Sequence, residues 1–475
     1  MSKYTAGHLE KKLADQLETK YVRAVDESDG CGGKFNVIIV SDKFKGKTLL
    51  QKHRMVNAVL AEELKEIHAF TQKPYTVEEW ENIQKQKQQA PGKIILHGEH
   101  AVVYHKPALA AVVGLATTLR FSMDQTQTLI SVHLEALNNN FSVEVKAFNE
   151  FLSKFRTKYP TEKSDSTVQL LEEVRAELAK QQEEQLENNS SSKKQKNQKS
   201  FISIYYLLAG AVLSSPAKDF KITNGFTLHI DTELNIGSGL GSSASYGVAL
   251  AAAFLLYARH FDLSSYRDPQ NLALISNWAF ESERIVHGTP SGVDNTICSY
   301  GGMLRFVKGQ GFQTINILRP LNILLVDSKV KRSTADIVAK VRHLTETFPE
   351  VINAIWNSLE ALVTEAIPLY EIFGNSQDDS EKFEKLERLF QINNDLLKAI
   401  GVSHPKLEQI FSIAYKRGFF SKVTGAGAGG YVIVLLPDNY AKNEVYWKLK
   451  EELEAAGFGV HSTTAGGDGL SIEKL

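Results

Sequence analysis

The chain has 475 residues, 43% of them hydrophobic and 23% charged, with a formal net charge of −1. That length predicts two or three domains, each able to bury a core, and the near-zero charge gives no basis for nucleic-acid or anionic-membrane binding. The only cysteines, Cys31 and Cys298, exclude a disulfide framework and fit a reducing, cytoplasmic setting; no apolar leader opens the sequence and no apolar run is long enough to span a bilayer.

Residues 1–85 read as a separate small α+β module. His8 to Lys20 carries Leu9, Leu13 and Leu17 at helical spacing. Tyr21 to Asp26 and Lys34 to Val40 read as strands, a helix is expected from Leu49 to Leu64, and His68 to Gln72 reads as a third strand. Thr76 and Glu79 form a capping-box pattern that opens a last helix toward Gln88. Cys31 sits in a glycine-rich turn and His68 at a strand start. A thiol and an imidazole are sound ligands for a soft metal or an iron–sulfur cluster, but one of each closes no site alone. An ordinary loop cysteine and a capping histidine is the simpler reading of the residues.

The main body begins near residue 90. Lys93 to Leu96 is expected as a strand, with Glu99 and His100 among small and apolar neighbours just beyond it. Lys93 is a candidate phosphate partner or a surface charge; His100 is a candidate ligand or a satisfied core histidine. Ala108 to Ala116, Thr117 to Met123, Ile130 to Leu134 and Phe141 to Val145 suggest sheet, and Thr167 to Lys180 suggests a helix. The polar stretch 181–200 is too poor in apolar residues to offset its ordering entropy and is expected as a mobile loop, followed by a buried helix from Phe201.

The organising stretch is next. Phe226 to Leu234 alternates as a strand and Ala244 to Phe261 is an Ala- and Leu-rich helix. Between them lie Gly237, Ser238, Gly239, Leu240, Gly241, Ser242 and Ser243. Alternating glycines let backbone approach a ligand, and a helix N-terminus favours an anion. This reads as a phosphate cradle, or else as a plain strand–turn–helix joint. No Gly-Lys-Ser/Thr follows the glycines, so the Walker pattern is absent.

Asp268 and Pro269 should cap and open a helix to about His287 carrying Glu283, with Asp294 in the Gly/Pro loop beyond. Two carboxylates so spaced suit magnesium plus a base, or else a solvated glutamate and a turn aspartate. Leu321 to Asp327 is a core strand. Residues from Ile337 to Ile413 are mostly helical, with Pro349, Pro368 and Pro405 marking breaks. Ser421 to Gly430 is a second glycine loop, flanked by the strand Tyr431 to Leu436, a helix Asn443 to Ala456 and a strand Gly457 to Ser462.

Two resemblances join these pieces. Phe35 to Gly46, Gln51 to Asn57, Ile67 to Phe70 and Glu79-Trp80 resemble the BolA family over roughly residues 3–85. This implies a class II KH-like fold, and a two-iron two-sulfur cluster shared with a monothiol glutaredoxin through Cys31 and His68. Pro91 to His100, Gly237 to Ala244 and Thr424 to Gly430 resemble, in order, the three signatures of the GHMP kinase superfamily, over roughly residues 90–475. Leu96 to Val103, Glu283 to Asn295 and Arg332 to Thr334 are similar to the mevalonate kinases within it.

The implied architecture is α+β: the BolA-like domain at 1–85, a ribosomal-protein-S5-like lobe at 86–315 and a ferredoxin-like lobe at 316–475. The implied reaction is phosphoryl transfer from ATP to mevalonate, by a homodimer. Residues 237–244 with Gly425 and Gly427 would hold ATP, and Ser243 and Glu283 magnesium. Asp294 and Lys93 would be catalytic, and Glu99, His100 and Thr334 would hold mevalonate. The chain departs from the pattern at the polar run 84–89, where relatives carry an apolar strand, so a shortened first strand is expected. Asn235-Ile236 stands where the second signature usually has Pro-Pro, and Ala428 replaces a glycine of the third; both are expected to matter little. The alternatives are a BolA-type partner protein whose kinase is impaired, and a GHMP kinase for another small alcohol.

Overall fold

A computed structural model describes residues 4–26, 33–77, 86–123, 127–159, 166–186, 198–217, 220–288, 290–374 and 379–474. The chain divides into two units: residues 1–87 with the short stretches 120–123 and 474–475, and residues 88–119 with 124–473.

In the first unit, the helix Ala6–Leu17 starts at Thr5, whose side chain accepts a hydrogen bond from the His8 amide. Its leucine stripe, Leu9, Leu13 and Leu17, is buried. Strands β1 (Tyr21–Asp26) and β2 (Gly33–Val40) pair antiparallel, and the helix Leu49–Val59 carries the chain over to β3 (Ile67–Tyr75), which lies parallel to β2. A parallel pair needs such a crossover. Alternate residues Phe35, Val37 and Ile39 of β2 meet the leucine stripe and Phe44 in one core. The helix ends five residues before the expected Leu64, and a separate 3₁₀ turn follows at Glu63–Lys65. The helix expected from Thr76 lies largely outside the described residues, and Gln86 to Gln88, expected as its end, belong to a strand.

That strand, β4 (Gln86–His97), corrects the expectation of a shortened first kinase strand. Its even-numbered residues Gln88, Ala90, Ile94 and Leu96 are all buried, so the polar run keeps the period of the apolar half. The ladder to its two neighbours does not depend on side chains, and Gln89 Nε2 donates to Thr118 Oγ1 at 3.3 Å. Strand β5 (Ala108–Met123) is one unbroken element where two were expected. After β6 (Leu129–Leu134) and β7 (Asn139–Glu144) come the helices Val145–Lys158, Ser166–Leu186 and Gln198–Leu213. The flanks of the stretch expected as a mobile loop, 181–186 and 198–200, are therefore helical, and its centre lies outside the described residues.

Strand β8 (Phe226–Thr232) lies parallel to β6 and leads to the helix Ser242–Tyr257. This helix is apolar on every side, which requires burial all round. The helices Gln198–Leu213, Pro269–His287 and Val293–Tyr300 supply it. Strands β9 (Met303–Val307) and β10 (Gly311–Ile315) form a hairpin that β9 joins to β5.

The last third places β11 (Leu321–Asp327) between β13 (Tyr431–Leu435) and β14 (Gly459–Ala465), all antiparallel, with β12 (Ser421–Val423) at the edge beside β13. Strand β15 (Ser471–Lys474) pairs with β4. Helices Thr334–Thr347, Pro349–Ile372, Ser380–Ala399, Pro405–Lys416 and Glu444–Ala455 complete this part. Pro368 does not break its helix, because buried Ala366 and Tyr370 anchor the chain on either side of it.

Candidate active site

The turn after β8 holds Gly237, Gly239 and Gly241 at φ of 78°, 87° and 73°. These are left-handed values that side chains disfavour. A Cβ on Gly239 would lie 2.6 Å from Arg332 Nη2 and one on Gly241 2.8 Å from Lys93 Cγ, so a side chain at either position would displace Arg332 or Lys93. Gly241 caps the helix Ser242–Tyr257 with no side-chain bond to its first amides, which leaves those amides for an anion. Ser242 and Ser243 line the cleft beside them, while Leu240 and Ala244 are buried beneath it. The Leu240 carbonyl accepts from the Lys93 amide at 2.7 Å and ties the turn to β4. Arg332 Nη2 donates to the Ser238 carbonyl at 3.2 Å.

Lys93 and Asp294, 201 positions apart in the chain, meet here: Lys93 Nζ lies 3.3 Å from Asp294 Oδ1. Asp294 stands in the first turn of the helix Val293–Tyr300 and stays about a third exposed, toward the cleft. Glu283, near the end of the helix Pro269–His287, is buried. Burial first, and the charge of Asp294 second, push its carboxyl up to about 7, against a hydrogen bond from Ser243. Its Oε1 is buried without a hydrogen-bond partner among the described residues. An orphaned carboxylate oxygen beside a serine hydroxyl fits a magnesium ion, which takes one or two protein oxygens and completes its shell with phosphate and water. No group of three or more ligating side chains occurs among the described residues. His287, which the sequence reading passed over, lies 3.1 Å from Ser243 Oγ and 3.9 Å from Glu283 Oε2 through its Nε2.

The far end of the cleft is built by β4, the loop after it and the second glycine loop. His100 Nε2 donates to the Ala426 carbonyl at 2.9 Å, and burial holds its imidazole below the usual range. Thr334 is exposed to the cleft at the start of its helix, which Ser333 caps. Gly425 lines the cleft. Gly427 does not: its α-carbon packs on Val402, whose carbonyl a Cβ would meet at 2.4 Å. Glu99 also departs from expectation, since it is wholly buried in an ion pair with Lys422 and faces away from the cleft.

Arg332 is the clearest residue that sequence reasoning left without a role. It stands between both glycine loops, within 3.2 Å of where a Gly425 Cβ would fall, and its Nε and Nη1 are buried without partners among the described residues. Asn235, expected to matter little, donates to Asp327 Oδ2 at 3.0 Å and to Tyr431 Oη at 2.6 Å, bonds a proline has no group to make. The Asp268 side chain makes no capping bond at its helix start. The cleft encloses about 510 Å³, and a neighbouring pocket of about 220 Å³, which includes Thr117, Lys199 and Tyr246, shares Ile236, Ser242, Ser243 and Val286 with it.

In the first unit His68 is exposed at the start of β3, and Cys31 lies outside the described residues. Among those residues no helix is long and apolar enough to cross a membrane.

The BolA-like protein family matches residues 9–79, the GHMP kinases N terminal domain residues 207–302, and the GHMP kinases C terminal domain residues 376–455. A mevalonate kinase of Arabidopsis thaliana is 34% identical over 81% of this chain and 99% of its own length. One of Mus musculus is 34% identical over 80% of this chain and 93% of its own length. The solved mevalonate kinase of Methanococcus jannaschii superposes with a TM-score of 0.56 at 22% identity, over 80% of this chain and 97% of that one. With a glycine turn at a helix start, an ammonium–carboxylate pair and a buried carboxyl converging on one cleft, and with relatives of this similarity over four fifths of its length, the chain belongs to the mevalonate kinase family of GHMP kinases, and it carries a BolA-like domain ahead of the kinase.

Proposed function

We propose that this chain moves the γ-phosphoryl group of ATP to the 5-hydroxyl of mevalonate, and that Asp294 and Lys93 are its catalytic pair. The observation that carries the reading is their 3.3 Å approach at the mouth of the glycine turn. Asp294 accepts the hydroxyl proton while the hydroxyl oxygen bonds to the γ-phosphorus. The bond from that phosphorus to its bridging oxygen breaks, and ADP leaves with the electron pair. Lys93 offers positive charge to the attacking oxygen. Such a transfer needs alignment and charge stabilisation above all.

The turn 237–241 and the free amides of the helix at Ser242 receive the phosphates, and Gly425 approaches them from the opposite loop. Arg332, with two nitrogens between the loops that have no partner among the described residues, takes the γ-phosphate. Ser243 and Glu283 would hold magnesium, whose chemistry there is to neutralise phosphate charge. The neighbouring pocket, walled by Tyr246 and Val286, takes the nucleoside. His100 and Thr334 hold mevalonate at the far end, with Ile95, Val102 and Val103 as the apolar wall for its methyl group. The kinase lobes divide as 86–315, S5-like, and 316–475, ferredoxin-like. The antiparallel β12-β13-β11-β14 order with its helices supports the second assignment.

Mevalonate-dependent ADP release by the purified chain tests the reading. Turnover with phosphomevalonate or galactose, and none with mevalonate, would reject it. The impaired-kinase alternative rested on a truncated first strand, and β4 runs the full twelve residues.

For the BolA-like domain we propose a partner-binding role through a two-iron two-sulfur cluster shared with a monothiol glutaredoxin. The exposure of His68 supports it. Cluster absorbance of the mixed proteins should fall in His68→Ala and in Cys31→Ser, and unchanged spectra in both would reject it.

A further inference from the structure

The loop after β4 makes an unusual turn. His100 has φ 60° and ψ −45°, and the Ala101 amide donates to the Glu99 carbonyl at 2.7 Å. That is a γ-turn of the rare, strained hand, centred on a residue with a full side chain. Backbone held in such a region is strained and persists only where its surroundings over-determine it. On one side of the turn, Ala101 is fully buried in a hydrophobic core. On the other side is Glu99, whose carboxylate is fully buried too.

Glu99 is held by charge. Its Oε1 accepts from Lys422 Nζ, and its Oε2 accepts from Asn393 Nδ2 at 3.2 Å. Neither member of the ion pair has any exposed side-chain surface. Lys422 Nζ also donates to the Val423 carbonyl at 2.7 Å and lies 5.8 Å from the centre of the Phe390 ring. Asn393 approaches His97 Nδ1 at 3.4 Å, and His97 Nε2 meets Tyr370 Oη at 2.8 Å. Burial, then the neighbouring Lys422 charge, push His97 down to about 3, so it stays neutral. Burying two charges is costly, and a buried ion pair is poor evidence of net stability. Its placement is more telling. Lys422 stands four residues before Ala426, whose carbonyl receives the His100 ring. Glu99 is the residue next to His100. The pair therefore locks together the two backbones between which that imidazole is held. Ile95 and Thr424 repeat the tie one turn away: the Ile95 amide donates to Thr424 Oγ1, and that hydroxyl donates to the Ile95 carbonyl, both at 3.0 Å.

We propose that Lys422 is a positioning residue for the substrate end of the cleft: by holding Glu99 it maintains the strained turn at His100 and fixes the imidazole against the Ala426 carbonyl. Lys422 touches no substrate. It acts through Glu99 and His100, and the proposal rests on the reading of His100 as a mevalonate contact.

The test separates position from stability. Lys422→Met leaves the Glu99 carboxylate buried and unpaired, and its melting temperature falls. Adding Glu99→Gln removes the second charge and restores the melting temperature in part. If the pair serves stability alone, the double variant recovers its KM for mevalonate along with its melting temperature. If the pair positions His100, the KM for mevalonate stays raised by about tenfold in the double variant while that for ATP stays within about twofold. A wild-type KM for mevalonate in the folded double variant overturns the proposal. Should the variants of Lys422 not fold, Glu99→Gln alone carries the test: it keeps the shape and removes one charge, and an unaltered KM for mevalonate rejects the role. The ring Cε1–H resonance of His100, assigned by His100→Gln, gives a substrate-free reading. It moves in the variants if the turn relaxes, and an unmoved resonance overturns the proposal. A wild-type chain without mevalonate turnover sinks the substrate assignment, whereas the resonance still decides the role of Lys422.

Discussion

The missing Cβ of Gly241 would fall 2.8 Å from Cγ of Lys93, so the glycine turn packs directly on the stem of the lysine proposed as catalytic. Gly241→Ala therefore carries two penalties: about 1–2 kcal/mol for a left-handed alanine, and displacement of the Lys93 stem. Both melting temperature and kcat should fall. An alanine variant with wild-type kcat would show that the lysine is free to move.

Removing the Asp294 carboxylate takes away the proposed proton acceptor. Asp294→Ala should lower kcat by about 10²–10⁴-fold, with ATP affinity within a few-fold of wild type. Lys93→Met should lower kcat by about 10²-fold or more. Rapid-quench measurement of the transfer step checks that the loss is in chemistry. A variant losing only ATP affinity would move either residue out of the catalytic pair.

Glu283 gives a pH dependence that needs no ligand. Its folded value, about 7, stands above the ordinary 4.5. A carboxyl raised in this way is accommodated in full below the unfolded value, and that stability is lost as pH rises through about 7. Glu283→Gln is neutral at every pH. It should match wild type below pH 4.5 and become more stable between pH 4.5 and 7, by up to about 3 kcal/mol. Denaturant unfolding at pH 5 and pH 8 without magnesium checks this, and an equal difference at both would remove the carboxyl from account.

Arg332→Met removes the cation that stands between the two glycine loops. The KM for ATP should rise about tenfold and kcat should fall as well. Lys in its place should restore little, because a point charge does not reproduce the two-pronged donor. Equal recovery by Lys would mean that only net charge matters there.

Deleting residues 1–80 should leave kcat and both KM values within about twofold of the full chain, since the first unit has its own core of leucines, Phe35 and Val56. Loss of mevalonate turnover in a folded deletion variant would show that the kinase depends on the BolA-like domain.

Much of this site could be read from residue order. Gly237 to Ser243 could be read as an anion cradle or as a plain joint, because glycine and helix-start chemistry are local. Lys93, Glu283 and Asp294 could be named as candidates, but their meeting depends on how β4 and two helices pack, which periodicity does not encode. The polar run before residue 90 misled because residue type was weighed above parity: Gln88 keeps the buried face of β4 although it is polar. Glu99 was expected to hold mevalonate because the resemblance implied it. Its true partner, Lys422, is 323 residues away, and a lysine among apolar residues looks like any surface charge until the fold encloses it. Pro368 looked like a stop, yet burial on both sides of it outweighed the lost amide.

Ala428 sits at φ 51° in the second glycine loop, between Gly427 and Gly429, with its amide held by the Val402 carbonyl at 2.6 Å. An L-residue there confines the segment to one narrow basin, where a glycine would roam over several. Any movement of this loop must be shared among Gly425, Gly427, Gly429 and Gly430, with a rigid link in the middle. Replacing Ala428 with glycine should free that link, so the loop's mobility and the melting point would change together.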